Sequence, residues 1–176
     1  MSRLTLYRDD DPSTAIFMTE DGDEIAATLA PMGVRFERWP IRLHAGDILR
    51  AYAAEIEMLK AEGGYQSVDV VSVTPDHPDR MAMRTKFLSE HTHAENEVRF
   101  FVDGEGLFTL HHGGQVFDVL CTKGDLMSVP AGMKHWFDMG AAPQFTAIRL
   151  FVNPDGWVAA FTGDDISDRF ARHEPT

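Results

Sequence analysis

The sequence has little cysteine and few basic residues. Cys121 is its one cysteine in 176 residues, so no intrachain disulfide can form, as is usual in a reducing compartment. Sixteen lysines and arginines stand against 28 aspartates and glutamates, which gives a formal net charge of −12. Because such a surface repels a phosphate backbone, we expect no nucleic-acid partner and no anionic membrane partner.

Long apolar runs are also missing. No stretch approaches the roughly 20 apolar residues that a membrane-spanning helix needs, and no charged-then-apolar leader opens the chain. We therefore expect a soluble, cytoplasmic protein. A length of 176 residues with 44% hydrophobic content is enough for one domain with a substantial core.

The first half of the chain mixes strand and helix patterns. Strands are predicted at residues 4–7, 34–39 and 67–73, with an acidic turn at 9–12. One helix is predicted to begin at the cap Asp21 and to stop before Pro31, and a longer one to run from Asp47 to the glycines at 63–64. The apolar face of the longer helix indicates a core surface, and residues 79–87 favour a third, short helix.

After residue 97 the pattern becomes β-rich. Short strand-like segments alternate with glycine turns at 103–106, 113–114, 123–125 and 130–132. This spacing is typical of an antiparallel barrel or jelly roll. We therefore predict a mainly β fold, a jelly-roll barrel with N-terminal helices, which ends in a short helical turn at 166–170 and a loose end at 171–176.

The chemistry is concentrated in a short stretch. One residue separates His91 from His93, Glu97 follows four residues later, and His135 comes after the turn at 130–132. Imidazoles with one carboxylate suit iron, nickel or manganese. An ion with six coordination positions would keep two for a substrate that binds through two oxygens. Because side chains alternate along a strand, Arg99 is expected on the same face as Glu97.

The other histidines are weaker candidates. A lone histidine is more often a surface or hydrogen-bonded core residue than a ligand, and we interpret His44, His77 and His173 in this way. The adjacent His111 and His112 face opposite sides of a strand, so both cannot easily serve one site. The joint spacing of the first set is what favours a metal site.

These residues carry a resemblance to a known family. His91-x-His93-x3-Glu97-x6-Gly104 and Gly124-x5-Pro130-x-Gly132-x2-His135 resemble the two cupin motifs. Residues 86–102 and 125–140 resemble more closely the signature of the acireductone dioxygenase family. The resemblance implies a single cupin domain, a double-stranded β-helix, over residues 1–176. Its parts would be a helical and edge-strand elaboration (1–86), a barrel core with the metal site (87–152) and a C-terminal extension (153–176).

The resemblance also implies site residues. One Fe²⁺ or Ni²⁺ per monomer would be held by His91, His93, Glu97 and His135. Arg99 and Arg149 would be catalytic, with Arg99 binding the substrate as its dianion, and Phe87, Phe137 and Trp157 would bind substrate. The chain departs from some members at Glu90, where they have histidine, and at Asn96, where they have an acidic residue.

The implied activity is dioxygenation in methionine salvage by a monomeric enzyme. The substrates would be the enediol 1,2-dihydroxy-3-keto-5-methylthiopentene and O₂; iron directs cleavage to 4-methylthio-2-oxobutanoate and formate, nickel to 3-methylthiopropanoate, formate and CO. Two alternatives stay open. One is another cupin dioxygenase for a chelating diol, and the other is a non-enzymatic cupin that stores or senses a small molecule.

Overall fold

The computed structural model describes residues 1–174, and within them the chain forms two antiparallel sheets and five α-helices. The strands are β1 (Arg3–Arg8), β2 (Asp11–Thr19), β3 (Arg35–Arg38), β4 (Ser67–Val73), β5 (His91–Thr92), β6 (Glu97–His112), β7 (Gln115–Thr122), β8 (Asp125–Val129), β9 (Lys134–Asp138), β10 (Phe145–Phe151) and β11 (Ala160–Phe161). The helices are α1 (Gly22–Leu29), α2 (Ile48–Ala51), α3 (Ala53–Gly63), α4 (Arg80–Leu88) and α5 (Ile166–Arg169).

The long strand β6 belongs to both sheets. Its first half pairs with β8 and β10 in the first sheet, ordered β3-β8-β6-β10-β4. Its second half pairs with β7 and β9 in the second sheet, ordered β11-β5-β9-β6-β7-β1-β2. The mainly β jelly-roll barrel with N-terminal helices is therefore confirmed. The division at residues 86 and 152 stays a prediction, since the earlier strands are hydrogen-bonded into the same two sheets.

The predicted turn at 103–106 is wrong, because β6 runs through it. Gly104 has a φ of +73°, and the register with β10 shifts between Thr146 and Ala147. Such a bulge bends a strand without reversing it. A Cβ at Gly104 would overlap the carbonyl oxygen of Gln144, so glycine is needed for the bend that carries β6 from one sheet to the other.

Aromatic residues fill the space between the sheets. Phe101 of the first sheet lies 6.4 Å from Phe137 of the second, and Phe108 lies 5.8 Å from Phe137, between ring centroids. Rings at these distances add specific contacts to the burial of apolar area. The core therefore lies directly beneath the strands that carry the predicted ligands.

The helices follow their capping signals with one exception. Asp21 accepts hydrogen bonds from the backbone N–H groups of Asp23 and Glu24, at 2.9 and 3.0 Å, and so caps α1. The longer predicted helix is divided into α2 and α3 at Tyr52, whose φ of −105° and ψ of 18° are not helical. Its buried ring lies 5.1 Å from Phe100, so the predicted core face does pack against the first sheet.

Two further expectations change at the ends of the chain. Strand β2 was not predicted, because most of its residues are exposed at the sheet edge and show no inward–outward alternation. The predicted loose end is wrong at His173, which is buried and donates its backbone N–H to Asp138 at 2.9 Å. Residues 175 and 176 lie outside the described residues. From residue 1 to 174, no helix combines the length and apolar character needed to cross a membrane.

Candidate metal centre

Three histidines meet inside the barrel. His91 on β5 lies directly opposite His135 on β9, and His93 follows two residues after His91. They are 1%, 2% and 6% exposed, respectively. Their ligand nitrogens all lie within 4.8 Å of one another, and in the described part of the chain no other group of three such side chains does so.

Each imidazole is oriented by a backbone carbonyl group. The Nδ1 to oxygen distances are 2.8 Å for His91 and Ser89, 3.0 Å for His93 and Val158, and 2.8 Å for His135 and Met133. A carbonyl oxygen only accepts, so each Nδ1 carries the hydrogen and each Nε2 keeps a lone pair. This arrangement of the outer hydrogen bonds is typical of metal-binding histidines.

Glu97 at the start of β6 completes the cluster. Its Oε2 lies 3.3 Å from His93 Nε2 and 3.8 Å from His135 Nε2, while Oε1 accepts a 2.7 Å hydrogen bond from Arg99 Nη2. Oε2 is buried without a hydrogen-bond partner in residues 1–174. An unpartnered buried carboxylate oxygen is costly. A divalent cation between the imidazoles would supply the partner, so this donor set fits a metal ion.

The electrostatics also suit a cation. Burial lowers the pKa of His135 to about 3 and lowers the pKa of His91, so both rings are neutral near pH 7. Burial by itself would raise the pKa of Glu97, but opposing interactions, led by the positive charge of Arg99, outweigh it and hold that pKa at about 2. Neutral imidazole and ionised carboxylate are the forms that bind metals.

A cavity of about 400 Å³ opens beside the histidines. The predicted residues Phe87, Arg99, Phe137, Arg149 and Trp157 all line it. The Phe87 ring lies 6.2 Å from the His91 ring, which connects this wall to the cluster. The structure thus brings together every residue for which the sequence predicted a site role.

Arg99 is the cation nearest the cluster. Its side chain is 8% exposed, and its Cζ lies 4.5 Å from the centroid of the Phe137 ring. Its Nε is buried and has no hydrogen-bond partner among the described residues. Burial lowers the pKa of Arg99, but the adjacent Glu97 opposes this, and a guanidinium stays charged in proteins. A buried positive group with an unused donor can bind an anion.

Comparison with known proteins identifies the family. The model of the ARD/ARD' family matches residues 3–159. The chain belongs to the ARD/ARD' family. Among curated relatives, it is 56% identical to the acireductone dioxygenase of Synechococcus sp. over 177 residues, covering 97% of this chain and 98% of that one. It is 55% identical to that of Pseudomonas aeruginosa, with 97% of each chain covered.

A solved structure of the ARD/ARD' family agrees with the fold. Acireductone dioxygenase from Bacillus anthracis, with a cadmium ion in its active centre, superposes with a TM-score of 0.80 at 30% identity. The match covers 92% of this chain and 98% of that chain. The cupin fold predicted from the two motifs is therefore confirmed.

The sequence did not predict the side-chain contacts of two cavity residues, Arg149 and Trp157. Arg149 donates from Nε and Nη2 to the carboxylate of Asp69 on β4, at 2.9 and 2.7 Å. Lys86 Nζ lies 4.1 Å from the centroid of the Trp157 ring at the cavity mouth. Both pairs join segments that are distant in sequence, and no local spacing signals either one.

Glu90 and Asn96, the two positions where the chain departs from some family members, both make side-chain hydrogen bonds. Glu90 is 1% exposed, and its carboxylate pairs with His111 Nδ1 at 2.5 Å and accepts a 2.7 Å hydrogen bond from the Thr162 hydroxyl. Asn96 Oδ1 accepts the N–H of Ala131 at 2.9 Å. Glu90 thus ties the segment after β11 to β5, and Asn96 holds the turn that precedes His135.

Proposed function

We propose that this chain is a metal-dependent dioxygenase that cleaves the acireductone 1,2-dihydroxy-3-keto-5-methylthiopentene with O₂. The observation that carries the proposal is the cluster of three imidazoles and Glu97 next to a cavity with a buried arginine, in a member of the ARD/ARD' family. The enediol has two adjacent oxygens, through which it would bind an ion that these four protein donors would hold.

The metal site would consist of His91, His93, Glu97 and His135, with one Fe²⁺ or Ni²⁺ per monomer. When bound, the ion would act as a Lewis acid that favours the deprotonated, electron-rich form of the enediol. With iron the products would be 4-methylthio-2-oxobutanoate and formate, as methionine salvage requires. With nickel they would be 3-methylthiopropanoate, formate and carbon monoxide.

Arg99 would bind the anionic part of the substrate. Its buried Nε is an unused donor, and its Cζ lies 4.5 Å from the centroid of the Phe137 ring. Charge-assisted hydrogen bonds from a permanently charged guanidinium favour the dianion over the neutral enediol. Arg149 lies opposite Arg99 on the neighbouring strand and would add a second positive charge.

The aromatic and apolar wall would enclose the rest of the substrate. Phe87 and Trp157 flank the cavity, and Met83 and Met139 line it as flexible apolar side chains. Such a wall would exclude water from the reacting carbons and pack the methylthio group.

The test is anaerobic reconstitution with iron or nickel, followed by oxygenation of the acireductone. We expect loss of the enediol absorbance, uptake of oxygen, and the product set of each metal in the corresponding sample. Consumption of another chelating diol but not of the acireductone would favour the alternative dioxygenase. Metal-loaded protein that fails to consume oxygen with any enediol would favour the non-enzymatic alternative. Monomeric state and cytoplasmic location stay predictions.

A further inference from the structure

A row of four charged residues crosses one face of the first sheet. Arg99 of β6 lies directly opposite Arg149 of β10, and Arg149 lies directly opposite Asp69 of β4. Glu97 is two residues before Arg99 and points to the same face. The row therefore begins at Glu97, next to the three histidines, and ends with Asp69 in the cavity wall.

The two arginines would repel each other without neighbouring carboxylates. Direct cross-strand partners have Cα atoms about 4.5–5.5 Å apart, and like charges in such pairs are destabilising. In the structure each guanidinium has its own carboxylate, Glu97 for Arg99 and Asp69 for Arg149. The formal charges of the four groups cancel.

The Asp69 contact fixes how Arg149 faces the cavity. Two parallel hydrogen bonds, from Nε and Nη2, hold one edge of the guanidinium plane against Asp69. A bidentate pair sets the orientation of the plane as well as its position. These bonds leave both N–H groups of Nη1 and one N–H group of Nη2 for a ligand in the cavity.

We propose that Asp69 is a positioning residue, which orients Arg149 so that the two arginines together bind the anionic oxygens of the substrate. The identity of that anion, an enediolate, rests on the proposed function. Asp69 does not touch the reacting atoms in this role; it acts through Arg149.

Removal of the Asp69 charge has two opposing effects. It makes the cavity more positive, which favours an anion, but Asp69 is 52% exposed. For a dianion about 7 Å away in a water-like dielectric, with salt screening over about 8 Å, this gain amounts to roughly two- to threefold in affinity. Loss of one oriented hydrogen bond from a charged donor weakens binding by about tenfold or more. Orientation therefore outweighs charge, and binding weakens.

If the Asp69–Arg149 pair served only the stability of the fold, its loss would lower the melting temperature and leave substrate binding unchanged. A half-exposed pair of this kind contributes little to stability. We therefore expect Asp69→Asn to change the melting temperature by no more than about 3 °C, while substrate binding changes strongly.

The experiment compares three variants in nickel-loaded protein. The measurements are kcat and KM for the acireductone and the Kd of squarate, a planar dianion with adjacent oxygens. In Asp69→Asn we expect KM and the squarate Kd to rise about tenfold, with kcat within about threefold of wild type. Asp69→Glu should recover most of the binding. The exchange Asp69→Arg with Arg149→Asp should keep stability but not binding, because it places a carboxylate opposite Arg99.

The matched control is Asp10→Asn, which removes the carboxylate of another bidentate arginine pair, with Arg8, at the exposed β1–β2 turn. It should leave all three quantities unchanged. Asp69→Asn with KM and squarate Kd within twofold of wild type, or normal binding in the exchanged pair, would overturn the positioning role. Wild-type protein that binds squarate but turns over no acireductone would contradict the proposed function alone, since squarate binding still decides the role of Asp69.

Discussion

The histidine cluster and the cavity wall are held in place by different means. In the cluster, His91 and His135 lie on paired strands, and each of the three imidazoles is oriented by a main-chain carbonyl group. In the wall, Arg149 and Trp157 are held by the side chains of Asp69 and Lys86. A contact with a main-chain carbonyl group remains when the residue that carries it is substituted. A contact between two side chains is lost when either residue is substituted. Metal binding and substrate binding should therefore be separable by mutation.

The largest effect is expected from His135→Ala. Loss of one imidazole removes a donor from the cluster, so bound metal and activity should fall together, by at least about 100-fold in metal affinity. Elemental analysis and turnover measure the two. His112→Ala, which changes an exposed histidine at the β6–β7 hairpin, is the control. Full metal content with normal activity in His135→Ala would remove this residue from the proposed ligand set.

Arg99→Ala should separate the two regions. The imidazoles and Glu97 remain, so metal content should stay close to that of wild type, while the squarate Kd and the KM for acireductone rise about 100-fold. Arg35→Ala, on β3 and away from the cavity, is the comparison. If Arg99→Ala lost its metal as well, metal binding and substrate binding would not be separable at this position.

Acid should destabilise the metal-free protein through the cluster. Burial lowers the pKa values of His135, to about 3, and of His91, from 6.5. Between pH 6.5 and 3 the unfolded chain therefore binds more protons than the folded chain. Each neutral imidazole makes its full contribution to the free energy of unfolding above about pH 6.5. That contribution is lost as the pH falls, by up to about 1.4 kcal/mol per pH unit.

Urea denaturation of metal-free protein between pH 7.5 and 5 measures this loss. Asp118, whose pKa burial raises to about 6, changes stability in the opposite direction, so the informative quantity is the difference between wild type and His135→Ala. The decline should be shallower in the variant. Equal slopes would show that His135 does not resist protonation in the folded protein.

The smallest effect is expected at the cavity mouth. Lys86→Met removes the cation that lies over the Trp157 ring while keeping an apolar side chain of similar length. Exposed contacts of this type contribute about 0.5–1 kcal/mol, so KM should rise by about two- to fivefold with unchanged metal content. Steady-state kinetics would check this, with Lys60→Met, on α3 and outside the cavity lining, as control. An unchanged KM would mean that this contact does not order the wall.

Sequence patterns predicted those features whose cause is local. Asp21 caps α1 because its carboxylate reaches the next N–H groups of the same turn. The bend at Gly104 was misread as a reversing turn, because a glycine with positive φ serves both conformations and only the pairing partner distinguishes them. Tyr52 interrupts a continuous helical pattern where its ring is buried against Phe100, which the periodicity of the helix does not record.

The ligand types, their short spacing along the chain and the β-rich alternation that places Glu97 and Arg99 on one face can all be read from the order of residues. The packing of distant strands sets the rest: His135 lies opposite His91, Val158 orients His93 from 65 residues away, and Asp69 holds Arg149 from 80 residues away. Local spacing encodes the face of a strand and the place of a turn. Contacts between distant strands depend on sheet register and on the close approach of side chains, which no short segment specifies.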